Sequence, residues 1–107
     1  MNLSSEIRRT LKVGGESFTS ILKRPSNEDL NRFFSERFNS SSLSKEEEQA
    51  KTISDRVAFY DAHLIGVLDL EADGKPVTVE QKGIIPDAWK SMIIFSAFED
   101  VRVSEKN

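Results

Sequence analysis

The chain has 107 residues, 15 of them Lys or Arg and 18 Asp or Glu, with one His, no Cys and a formal net charge of −3. That length supports one domain with a modest core, and the missing cysteines exclude disulfides, thiolate metal sites and Cys nucleophiles. The apolar stretches 64–68 and 92–95 fall far short of the roughly 20 residues needed to cross a bilayer, so no membrane partner is expected.

Residues 7–13 partly alternate and run into Gly14-Gly15, a pair that tolerates positive φ in a tight turn. The β-branched and aromatic run from Phe18 to Arg24 follows, and the two segments read as a hairpin over 1–25 with Ile7, Leu11, Phe18 and Leu22 on one side. Residues 5–12 also have the makings of a short helix, because Ile7 and Leu11 are four apart among good helix formers. Pro25 then favours an extended Arg24, and Ser26-Asn27-Glu28-Asp29 opens a helix over 26–38 whose apolar positions are Leu30, Phe33, Phe34 and Phe38.

A serine-rich loop at 39–43 leads to Ser44 and Glu47, a second Ser-x-x-Glu capping pattern. Ala50, Ile53, Val57, Tyr60, Leu64 and Val67 succeed one another at spacings of three and four, which predicts one long helix over 44–70, about 39 Å for residues 45–70 at 1.5 Å per residue. Glu46, Glu47 and Glu48 occupy its first turn, where they favour the helix dipole, and Asp73-Gly74 stops it. Residues 71–85 read as a turn and an extended piece, Pro76-Val77-Thr78-Val79, available as a third partner for the hairpin. A last helix over 86–102 starts at Pro86-Asp87, with Trp89, Met92, Ile93, Ser96 and Ala97 on one face and Ile94, Phe95 and Phe98 widening the apolar surface; 103–107 form a tail. The whole is an α+β fold: an N-terminal hairpin followed by a mainly helical body.

The sharpest chemical motif is Asp69-x-Glu71-x-Asp73-Gly74-x5-Glu80, which spaces carboxylates and a glycine as an EF-hand calcium loop does. Glu71 at its third position, Pro76 at its eighth and the Gly83/Pro86 interruption of an exiting helix favour an acidic turn instead, with no metal held. His63, the single histidine, has no second histidine to join in metal binding, and Asp61 two residues away does not share its helix face. Ser40, Ser41 and Ser42 read as linker, and Gly14-Gly15 lacks the phosphate-binding pattern. Asp55, Asp61 and Asp69 read with Glu46–Glu48 as the wet side of a helix interleaved with Lys45, Lys51 and Arg56. No catalytic constellation emerges, so neither an enzyme nor a cofactor is expected.

Residues 1–24 carry five basic and two acidic side chains, +3, which leaves −6 on the other 83. So acidic a body is expected to repel nucleic acid, and Arg8, Arg9, Lys12, Lys23 and Arg24 read as the exposed side of the hairpin. The opening Met1-Asn2-Leu3-Ser4-Ser5-Glu6 lacks a secretory pattern, and the expected location is the cytoplasm.

The order of signals resembles a known family. Lys23-Arg24-Pro25-Ser26 closes a strand, Asn27-Glu28-Asp29-Leu30 opens a helix, and a long helix ends in Leu64-Ile65-Gly66-Val67-Leu68-Asp69-Leu70. Asp73-Gly74-Lys75-Pro76-Val77 then precedes Ile85-Pro86-Asp87-Ala88-Trp89-Lys90, and residues 16–101 together resemble the tail assembly chaperones of long-tailed bacteriophages and prophages. The resemblance implies a non-enzymatic protein of the bacterial host cytoplasm. Its partners would be the helical tape measure protein, whose apolar surface it keeps soluble, then tail tube subunits, with a second copy of the chain a further candidate. Aromatic anchors dominate such interfaces, so the candidate partner-binding residues are Trp89, Ile93, Phe95 and Phe98, with Phe34 and Phe38 behind them, each also a candidate for the chain's own core. A structural tail component and a small calcium-binding module at Asp69–Glu80 are the rival readings.

Overall fold

The computed structural model describes residues 1, 3–37 and 43–100. Two eight-residue strands, β1 (Glu6–Val13) and β2 (Glu16–Lys23), pair antiparallel with Val13 opposite Glu16. Gly14 and Gly15 connect them with φ of 58° and 92°, the mirror-image turn whose twist matches a hairpin and which side chains with a Cβ resist. Ile7, Phe18 and Leu22 are buried and Leu11 packs against them, as the alternation predicts. Pairing along the whole of β2 satisfies every inward-facing amide of residues 6–13, so the strand prevails over the short helix their propensities also allow.

Helix α1 (Asn27–Arg37) starts where Ser26 accepts a bond from the Asp29 amide at 3.0 Å, and Pro25 is buried at the corner. Phe38 and the serines at 40–42 lie outside the described residues. Helix α2 (Lys45–His63) has its predicted capping box, with Ser44 Oγ accepting from the Glu47 amide at 3.2 Å.

The long helix is shorter than its spacing suggests. It ends at His63, about 28 Å along for 19 residues, and Leu64–Leu68 is a strand, β3. Leu64 belongs to both: its N–H closes the last turn on the Tyr60 carbonyl while its φ of −69° and ψ of 126° are already extended. The run Leu64-Ile65-Gly66-Val67-Leu68 carries helical spacing and β-branched content at once, and pairing with β2 decides between them. β3 therefore takes the place in the sheet that the sequence offers to residues 76–79, and the order is β1-β2-β3. Ile65 is an extra residue in the ladder, since Ile21 faces Gly66 and Leu22 faces Leu64.

Beyond β3, β4 (Glu71–Ala72) and β5 (Lys75–Pro76) make a two-stranded hairpin turned by Asp73 and Gly74, both at positive φ. Val77 and Ile85 flank a 3-10 turn, Val79–Ile84, and enter the core. Helix α3 (Asp87–Ile94) begins on Pro86, whose carbonyl accepts the Trp89 amide at 3.0 Å, and Phe95–Glu99 continue as a single wider π turn. The helices cover one face of the sheet, and Phe33, Phe59, Tyr60, Ile93 and Ile94 complete the core against Leu22 and Phe18. Among the described residues no helix is long and apolar enough to cross a membrane.

Candidate protein-binding surface

The face that α3 turns inward is offset by one residue from the face its sequence suggests. Lys90, Ile93 and Ile94 are buried and Ala97 half-buried, which is the i, i+3, i+4, i+7 stripe of a helix. Met92 is 49% exposed and Phe95 39%. A lysine enters the core because Asp61 on α2 waits for it: Nζ lies 2.8 Å from Asp61 Oδ1 and 5.6 Å from the Tyr60 ring centre. Lys82 donates to the Asp61 carbonyl at 2.7 Å, fixing the same turn from outside.

Each anchor residue named from the sequence, apart from Phe38, which lies outside the described residues, has a definite place. Trp89 is half-buried, its ring centre 5.6 Å from that of Phe18, on the wall of a cavity of about 480 Å³ that also touches Val13, Asp69 and Glu71. Ile93, 2% exposed, belongs to the core. Phe98 meets Phe59 edge-on at 5.3 Å, and Phe34 lies 5.5 Å from Phe33, both half-buried. Phe95 is the most exposed of the described candidates, at 39%, and Arg56 stands 5.2 Å over its ring. Arg56 also binds Glu99 through Nε at 2.7 Å and reaches Ser91 Oγ at 3.3 Å, tying the π turn to α2. Ile53, one helical turn before Arg56, is 43% exposed. Met92, three residues before Phe95, and Ile53, three before Arg56, are the other exposed large apolar side chains of α3 and α2. Both appear in the apolar spacing of the sequence, which alone does not say that they remain outside.

No family model, curated protein or solved structure matches the chain.

The remaining chemical candidates are dispersed. His63 stacks on Phe59 with ring centres 4.2 Å apart, donates from Nδ1 to the Phe59 carbonyl at 2.8 Å and holds Nε2 3.7 Å from Asp29. These contacts pin α1 to the end of α2. Asp55 pairs with Lys51 at 2.7 Å and Asp61 with Lys90, so the two carboxylates serve different elements. Asp69 and Asp73 sit at φ of 63° and 52° in separate turns, with β4 and β5 between Asp69 and Glu80 where a calcium loop would wrap. Among the described residues no three His, Cys, Asp or Glu side chains gather to hold a metal. Ser20 and Tyr60, both fully buried, share a 2.9 Å hydroxyl bond between sheet and helix. Burial pushes the Tyr60 phenol above its ordinary 10.0, with Asp61 adding to the rise and the Ser20 bond opposing it.

Proposed function

We propose that the chain is a non-catalytic binding protein that shelters an apolar helix of a partner, in the manner of the phage tail assembly chaperones its sequence resembles. The supporting observation is the exposure of Ile53, Met92 and Phe95 along neighbouring helices. A helix laying its apolar side against Met92 and Phe95, one turn apart, would bury both large side chains, which is the physics of helix-in-groove recognition, and Ile53 offers a further apolar contact on α2. Phe95 is the anchor of this reading, Met92 the adaptable contact beside it, and Trp89 and Phe98 support them from the core side. Ile93 contributes by holding α3 in place. The tape measure protein is the proposed partner, and the tail tube subunit its successor.

Co-expression tests the reading. A candidate tape measure segment should become soluble with the unaltered chain and stay insoluble with the Met92→Glu/Phe95→Glu variant, whose fold is checked by circular dichroism. Equal rescue by both chains refutes the surface, and no rescue by either refutes the partner. Recovery of the chain in mature particles assigns it instead to a structural tail component.

A further inference from the structure

Among the described residues β1 forms an edge of the sheet, and its outer side carries basic groups of which Arg9 and Arg24 meet no carboxylate. The Arg24 amide donates to the Ser5 carbonyl at 2.9 Å, which sets the phase of the ladder. Residues 7, 9 and 11 bond to β2, and residues 6, 8, 10 and 12 turn their N–H and C=O groups outward. The outward carbonyl of Arg8 is occupied by the neighbouring side chain, Arg9 Nη1 donating to it at 2.9 Å. Arg24 donates from Nε to the Ser4 carbonyl. Among the described residues neither Arg9 nor Arg24 meets a carboxylate, and Glu6 stands 3.9 Å from Arg8. Beside this edge a cavity of about 400 Å³ is lined by Ile7, Leu30 and Phe98 together with Arg9, Arg24 and the Arg8–Glu6 pair, so its charged lining is three guanidinium groups to one carboxylate.

An open edge eight residues long invites another strand, and a guanidinium folded over it is a guard. We propose that β1 and this cavity bind an extended acidic peptide, which adds as a further strand and replaces Arg9 on the Arg8 carbonyl with its own N–H. The displaced Arg9 then pairs with a carboxylate of the incoming strand, with Arg24 available to another, and an apolar side chain enters the cavity. A neutral peptide would displace Arg9 without offering it a partner, and a basic one would be repelled. Such a strand fits better than a nucleic acid, because the edge alternates donors with acceptors whereas a phosphate backbone supplies acceptors alone. The residues after 24 also sum to −6, a field that opposes a polyanion. This site shares Phe98 with the proposed helix-binding surface but includes neither Met92 nor Phe95.

Calorimetric titration of the full chain tests it, with a peptide of about ten residues built of Glu-Glu-Val-Val repeats as probe, so that each face of the added strand carries both side-chain types. The acidic peptide should bind, more weakly in high salt, and its Gln analogue roughly tenfold more weakly at low salt, the size expected of a few exposed ion pairs. The Lys analogue should not bind. Arg9→Ala should shrink the ratio between Glu and Gln peptides, and Thr10→Pro should abolish binding, since it removes an outward donor that the β1–β2 ladder does not use. Should that variant lose its fold, amide exchange at Arg8 and Thr10 in the unaltered chain serves instead, with slowing on addition of the acidic peptide expected. The inference is overturned by silence at millimolar peptide, by equal affinity for Glu and Gln peptides, by unchanged amide exchange, or by displacement of the peptide by millimolar inorganic phosphate. It is likewise overturned if a short single-stranded oligonucleotide binds more tightly than the acidic peptide. The Met92→Glu/Phe95→Glu variant should bind the peptide normally, so this site and the helix-binding surface fail or succeed separately.

Discussion

Removing Asp61 should cost more than removing the lysine it faces. Lys90 is 2% exposed, and its ammonium has the Asp61 carboxylate at 2.8 Å and the Tyr60 ring at 5.6 Å. Asp61→Ala strands that charge in the core, and breaking a fully buried pair in this way costs about 3–5 kcal/mol. The Asp61 side chain is 36% exposed, so water screens part of the interaction and the expected loss falls to about 2–3 kcal/mol. Lys90→Met deletes the ammonium, keeps most of the volume and leaves Asp61 to water, for about 1 kcal/mol or less. Urea unfolding followed by circular dichroism and Trp89 fluorescence measures both, and the double variant should resemble Lys90→Met alone. On a domain of this size the difference is on the order of 10 °C in Tm. Because Lys90 also selects the inward face of α3, Asp61→Ala should weaken the display of Met92 and Phe95. Equal losses from the two single variants, or a lysine variant worse than the aspartate one, would refute the reasoning.

Three further outcomes follow from other contacts. The Tyr60 phenol is raised above 10.0, chiefly by burial. The unfolded chain therefore ionises first, and stability is intact below pH ~10 and lost as pH rises from there through the folded value. Ultraviolet titration of this single tyrosine reads the shift directly, and Tyr60→Phe should abolish that alkaline phase at a cost of about 1–2 kcal/mol from the orphaned Ser20 hydroxyl. Arg56→Ala releases the π turn at Phe95–Glu99, so amides there should exchange faster and stability fall by about 2 kcal/mol, given side chains only 18% and 10% exposed; unchanged exchange argues against the tether. Calcium at millimolar concentration should leave Trp89 fluorescence unaltered, a sensitive readout because the indole shares its cavity wall with Asp69 and Glu71; a saturable change would restore a metal role to that loop.

Local signals in the chain specify a good deal of this molecule. Two adjacent glycines between partly alternating segments point to a hairpin, although residues 5–12 also allow a helix that only pairing with β2 excludes, and Ser44 with Glu47 announces a helix start that the fold realises. Net charge and cysteine count exclude whole classes of chemistry without reference to shape. The end of α2 was not legible in the same way. Leu64 and Val67 continue its spacing faithfully, yet they lie in a strand, because the open side of β2 offers hydrogen bonds that a longer helix would leave unmade. Spacing within a segment cannot report a partner forty residues away.

The face of α3 shows the same division more finely. Its sequence establishes that the helix is apolar on more than one side and so able to bury several alternative stripes. Which stripe goes inward depends on Asp61, a residue of another helix, whose carboxylate makes burial of Lys90 affordable and thereby leaves Met92 and Phe95 in water. Composition, turns and caps are local properties, written in neighbouring residues; the end of α2, the third strand and the exposed apolar surface arise from long-range pairing, and only the assembled tertiary structure decides them.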